Sequence, residues 1–176
     1  MAYRTFFVRN ETSNPKAQEL IKFLGASDEG HRCTFLALRD LSRPIDLSCN
    51  AAVYSELDST VLLFNFNQLG ERWSELNGED GSETIFSLLT KSLLLEGGSL
   101  RSSEAREFVC RYLEFFLGDV RFFSNMTLPT PGLPSWSAGN PLLSWRQQKK
   151  FGGCADEGIA TISTDFCGFV CVVGDD

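Results

Sequence analysis

One histidine and six cysteines set the limits of the nucleophilic chemistry open to this 176-residue chain. His31 and Cys33 stand two apart at the head of HRCTFLAL, a run that reads as a strand. Residues two apart on a strand share a face, so an imidazole would stand beside a thiol, the pairing a small Cys-dependent hydrolase or transferase needs. No glycine-rich nucleophile turn accompanies the pair. The plainer reading puts His31 at the strand entrance and Cys33 in the core, so Cys33 and His31 carry an alternative reading and not the leading one.

Metal and cofactor chemistry finds less support. Cys154, Cys167 and Cys171 could be joined by His31, but Cys167 and Cys171 lie four apart in a segment of strand character. That spacing separates them by roughly 13 Å, too far to share a tetrahedral zinc or a disulfide. No C-x-x-C, G-x-G-x-x-G or P-loop pattern occurs. The expectation is no metal, no cofactor and reduced, structural thiols. The series Arg101, Arg106, Arg111 and Arg121 reads as a solvated face and not as an anion clamp.

The acidic residues offer a different kind of chemistry. Gln68–Glu83 is polar and reads as helical, and Glu71, Glu75 and Glu79 recur in it at i, i+4 and i+8. A helix would stack the three on one face, with Asp80 and Glu83 extending the charge. Like charges at that spacing cost about 0.2–0.5 kcal/mol per pair, small enough for an ordinary solvated face to bear. The functional alternative is a recognition surface for a cationic partner, with Trp73 among the acids as its anchor.

Bulk charge narrows the partner. Asp and Glu number 23 against 16 Lys and Arg, a net charge of −7, whereas phosphate-backbone binding relies on clustered cations. The expected partner is therefore a basic protein, with no direct nucleic-acid contact. No apolar run approaches the roughly 18–20 residues that span a bilayer, and the apolar run Phe6–Val8 is too short for a signal-peptide core. These features predict a cytoplasmic protein with no membrane contact.

Those residues need a framework. Hydrophobic residues make up 43% of the chain, with 15 Phe, enough for one packed core over 1–176, any subdomain seam falling near 78–83. Thr60–Asn67, TVLLFNFN, reads as a central strand that buries Leu62, Phe64 and Phe66. Further strands are expected at Ala2–Arg9, His31–Leu38 and Val120–Met126. Gly158–Val173 reads as a bent strand or a hairpin turning near Ser163–Asp165. Helices are expected from Asn14 to Gly25, over Ala51–Leu57, over Gly81–Leu95 behind an Asp80/Glu83 capping box, and from Ser102 or Ser103 to Leu117. Leu128–Pro141 holds four prolines and reads as an extended loop, with the basic cluster Arg146, Lys149 and Lys150 on a short helix beyond it.

The fold class is thus α/β, with mixed α+β as the variant: a central sheet of about five strands with four to five helices packed around it. The leading functional reading is a non-enzymatic acidic binding protein that neutralises another protein. Its most concrete form is an inhibitor or immunity protein blocking a basic effector such as a toxin nuclease. The enzyme using Cys33 and His31, and an adaptor domain docking through Leu128–Pro141, are the alternatives.

Overall fold

The sheet grows outward from a hairpin near the end of the chain. In the computed structural model, which describes residues 5–25, 33–90, 100–126, 141–142, 146 and 155–174, β5 (Ala155–Ile162) and β6 (Phe166–Gly174) pair antiparallel across Ser163–Asp165. Ser163 N–H closes the turn on Phe166 O at 2.9 Å. Every residue from Phe166 to Val173 is buried, as expected of a strand covered on both faces. β2 (Cys33–Asp40) lies antiparallel to β6 on the far side, and β1 (Thr5–Glu11) lies parallel to β2. On the other flank β4 (Arg121–Ser124) pairs with β5, and β3 (Ser74–Leu76) with β4, both antiparallel. The order is β1-β2-β6-β5-β4-β3. Among the described residues the protein is a mixed α/β structure of six strands and four helices; beside the expected strands, Gly158–Val173 resolves into two and β3 adds one inside a polar stretch.

Three helices cover one face: α1 (Pro15–Gly25), α3 (Gly78–Thr90) and α4 (Ser102–Leu113). Ala17, Leu20 and Leu24 of α1, Ile85, Leu88 and Leu89 of α3, and Ala105, Phe108 and Tyr112 of α4 bury against Leu36, Leu38, Ile159, Val170 and Val172 of the sheet. Asn14 Oδ1 accepts the Lys16 N–H at 3.0 Å and starts α1, as its sequence implies. Two glycines let these helices approach. A Cβ on Gly81 would overlap the Phe122 ring, and one on Gly168 would sit 2.5 Å from Tyr112 Oη. Helix starts differ from the sequence reading. The N–H of Asp80 binds Asn77 Oδ1 at 2.8 Å while Asn77 Nδ2 returns to Asp80 Oδ2, so the reciprocal cap is Asn77/Asp80 and α3 begins three residues early. α4 stops at Leu113, short of Leu117; Phe115 and Phe116 beyond it close over Phe166 at ring separations of 5.3 and 5.2 Å.

The opposite face overturns the central-strand reading. Thr60–Asn67 is not a strand: α2 (Asn50–Val61) runs through Thr60 and Val61, a 3-10 turn follows at Leu62–Phe64, and Asn65 adopts the left-handed conformation at φ 58°. The reason is a longer pattern. Val53, Leu57 and Val61 recur at i, i+4 and i+8 and are fully buried, so the stripe extends the helix into the apolar run. Thr60 keeps to it by donating its hydroxyl to Glu56 O at 2.9 Å. Phe64 and Phe66 are buried as expected, packed over Phe35 at 5.2 and 5.0 Å, but Leu62 is 45% exposed. Phe64, Phe66, Leu69 and Trp73 thus complete a second apolar layer with α2.

Asp58 holds that layer. It is buried, yet its carboxylate accepts N–H bonds from Leu69 (2.9 Å), Gly70 (3.0 Å) and Trp73 Nε1 (2.9 Å). Asp58→Ala should strand three donors and lower stability by about 3 kcal/mol in urea unfolding, with a shift in Trp fluorescence. The described thiols give a second expectation. Cys33, Cys49, Cys110, Cys167 and Cys171 are free, the last two fully buried. Alkylation of the native protein should label exposed Cys49 and Cys110 first and reach Cys167 and Cys171 after unfolding; a disulfide in the unreduced protein's mass spectrum would contradict this.

Candidate acidic binding surface

The stretch 68–83 is not one helix, and its acids do not form a helical stripe. Glu71 lies on the 3-10 turn Gly70–Arg72, Glu75 on β3, and Glu79, Asp80 and Glu83 on the first two turns of α3. Because β3 is an edge strand, the chain here passes from the α2 layer, over the sheet edge, to the helical layer on the other face. All five acids are exposed. They therefore rim the β3 edge of the molecule, distributed around it instead of stacked along an axis.

Each acid has its own local reason. Glu75 binds Arg121 in two parallel contacts, Nε to Oε1 and Nη2 to Oε2, both 2.7 Å. That hydrogen-bonded guanidinium holds the Glu75 carboxyl below its ordinary range, against a smaller opposing effect of burial. Asp80 serves the α3 cap. Glu79 and Asp80 sit in the first turn of α3, where negative charge complements the helix dipole. Among the described residues no hydrogen bond or ion pair engages the side chains of Glu71, Glu79 or Glu83, which leaves them as the open charges of the rim. Trp73 is not an interface anchor. It is 4% exposed and packed in the core, with its indole N–H spent on Asp58.

Two residues outside the expected site organise this edge. Arg121, expected on a solvated face, has a side chain only 18% exposed. Besides Glu75 it reaches Leu47 O and Asn50 Oδ1, and its guanidinium lies 4.9 Å over the Phe123 ring. It thereby ties α2's start to β3 and β4. Asp58 is the other, and its one sequence signal is a lone acid inside the otherwise regular pattern Leu57–Val61. Between α3 and α4 a groove of about 190 Å³ is lined by Ser82, Glu83, Phe86, Arg106, Val109 and Cys110, with the Arg106 guanidinium 4.7 Å over Phe86. It is smaller than the roughly 300–1,000 Å³ of small-molecule sites.

The enzyme residues divide. Cys33 lies half-buried at the start of β2, whereas His31 lies outside the described residues, as do Cys154, 127–140 of the proline-rich loop, Lys149 and Lys150. Arg146 is exposed. Cys167 and Cys171 sit four apart on β6 and are sealed in the core, where burial pushes the Cys167 thiol up to about 11 and the Cys171 thiol well above its ordinary value. Neither is a nucleophile at neutral pH. Among the described residues no helix is long and apolar enough to cross a membrane.

Comparison with family models, with curated proteins and with solved structures finds no match for this chain.

The Glu75–Arg121 pair predicts a pH effect. A carboxyl whose folded pKa is depressed stabilises the fold above its unfolded value near 4.5, and that contribution is lost as pH falls through the folded value. Glu75→Gln should therefore lower stability at neutral pH and converge on wild type well below 4.5. With the Glu75 side chain 47% exposed, the difference should stay under about 1 kcal/mol. Urea unfolding at the two pH values measures it; a gap that persists in acid would assign the effect to packing.

Proposed function

We propose that this chain works by binding and neutralising another protein, as an inhibitor or immunity protein directed at a basic effector such as a toxin nuclease. One observation supports the reading above others: Glu71, Glu79 and Glu83 stand exposed along one rim and, among the described residues, make no ion pair, in a chain of net charge −7. A nuclease cleft is cationic because it must hold a phosphate backbone. An acidic rim raises the encounter rate with such a cleft and, once seated, competes for it by charge. No catalysis is required of the binder. The rim is also rigidly mounted, since Asp58 fixes the turn carrying Glu71 and the Asn77/Asp80 cap fixes the helix carrying Glu79 and Glu83.

Charge reversal tests it. Glu71→Lys, Glu79→Lys and Glu83→Lys together should slow association with the effector several-fold and weaken its salt dependence, while Glu75 and Arg121 stay intact to preserve the fold. Thermal stability should barely move, because the three carboxylates make no ion pair among the described residues and surface changes of this kind are nearly neutral. The measurement is binding kinetics at two salt concentrations, using the partner that the wild-type chain retains stoichiometrically from its native host. Rates unchanged at both concentrations would reduce the rim to solvated surface.

A further inference from the structure

Charge and apolar surface meet on the helical layer, in the groove between α3 and α4. Leu100 N–H donates to Leu89 O at 2.9 Å, which joins the end of α3 to the start of α4, and further along the pair the Arg106 guanidinium lies 4.7 Å over the Phe86 ring. The two helices therefore run antiparallel, and Val109 and Cys110 lie towards Ser82 and Glu83. This gives the groove two unlike ends. The Phe86–Arg106 contact closes one with a positive charge. Glu83 marks the other, with Glu79 one turn before it on the same face of α3. Phe86 and Val109, both half-buried, are the apolar walls between them. At about 190 Å³ the groove has room for one side chain of a partner.

We propose that this groove seats one aliphatic side chain of the basic partner, while a lysine or arginine beside it in the partner's chain is drawn onto Glu83 and Glu79. The inference rests on the acidic-rim reading above, because the rim supplies the attraction and Glu83 belongs to both. Charge selects the occupant. A cationic side chain laid into the groove would be repelled by Arg106, and an anionic one by Glu79 and Glu83. An uncharged apolar chain meets neither obstacle, and Phe86, Val109 and the methylene stem of Arg106 exclude water around it. The flanking cation then faces Glu83 and Glu79, which make no ion pair among the described residues. A net charge of −7 attracts many basic surfaces alike; a seat for one apolar residue discriminates among them.

Two peptides of equal charge, KKKLKKK and KKKSKKK, test it by calorimetric titration of the full chain at low salt. The leucine peptide should bind about tenfold more tightly than its serine counterpart. It should also slow alkylation of Cys110, on the groove wall, and leave unchanged that of Cys49, which precedes α2 on the other face of the sheet. Val109→Ser should erase the preference for leucine without weakening KKKSKKK. Cys110→Trp, which fills the groove from its exposed side, should do the same. Circular dichroism confirms that each variant is folded. Equal affinities in wild type, or a preference that survives both variants, overturn the proposal. The rim reading then still stands if reversing Glu71, Glu79 and Glu83 to Lys weakens both peptides. Binding of neither peptide, or affinities indifferent to that reversal, overturns the rim reading and the proposal together.

Discussion

A single buried carboxylate governs the path of the chain over one face of the sheet. After α2 ends, the backbone from Leu62 to Trp73 forms only two short 3-10 turns and joins no ladder. Asp58 supplies what a ladder would have supplied. Its two oxygens take the N–H groups of Leu69 and Gly70 and the indole of Trp73, so one helical residue determines where the returning segment lies. Burying a carboxylate costs several kcal/mol unless its charge is met, and bonds to a charged acceptor are about twice as strong as neutral ones. Three such bonds meet it here. With the segment fixed, Leu69 and Trp73 seal the layer below α2, and the next residues can leave it at a defined point as β3.

What that layer covers is largely aromatic. Phe35 sits at its centre with Phe7 stacked at 4.8 Å and Phe64 and Phe66 edge-on, and Phe66 reaches Phe169 at 6.2 Å. The far face repeats the scheme with Phe108, Tyr112, Phe115, Phe116 and Phe166. Rings of that size need matching hollows, and glycine provides one at Gly168, under Tyr112. β6 is therefore read on both faces: large residues where a helix leaves room and none where Tyr112 arrives. Close-packed interiors transmit volume changes, which makes such pairs of ring and glycine sensitive to a single methyl group.

Much of this was legible in the residues. Gly158–Val173 shows its hairpin through β-branched and aromatic density broken by Ser163–Asp165, and α1 shows its start in Asn14–Pro15 and its stop in Gly25. Thr60–Asn67 misleads because period 2 and period 3.6 both fit a short apolar run; the deciding stripe, Val53, Leu57 and Val61, begins before it. The 68–83 stretch misleads in another way. Glu71, Glu75 and Glu79 keep helical spacing, and so do the buried Leu69, Trp73 and Leu76, but Leu69 and Trp73 pack in the layer below α2 and Leu76 in the layer of α3 on the other face, which one helix could not serve. Of the candidate surface, the acids and their exposure could be read from sequence. Their arrangement could not, because it depends on Asp58 and Arg121 contacts that span 11 to 74 residues.

The placement of the acids separates what the fold needs from what it does not. An open sheet must protect its edges, and a charged residue on a short edge strand does so. Glu75, locked to Arg121, meets that need at β3, while Asp80 meets a second one at the helix start. Neither role asks for further charge nearby. Glu79 has a modest reason to exist in the dipole of α3, but Glu71 lies on a 3-10 turn too short to carry one, and Glu83 lies beyond the first turn, where the effect has fallen off. Folding alone would accept uncharged polar residues at these two positions. Their presence in a chain already at −7 adds self-repulsion without any structural return. Glu71 and Glu83, one on each side of the sheet edge, are the rim charges that no described contact of the fold uses.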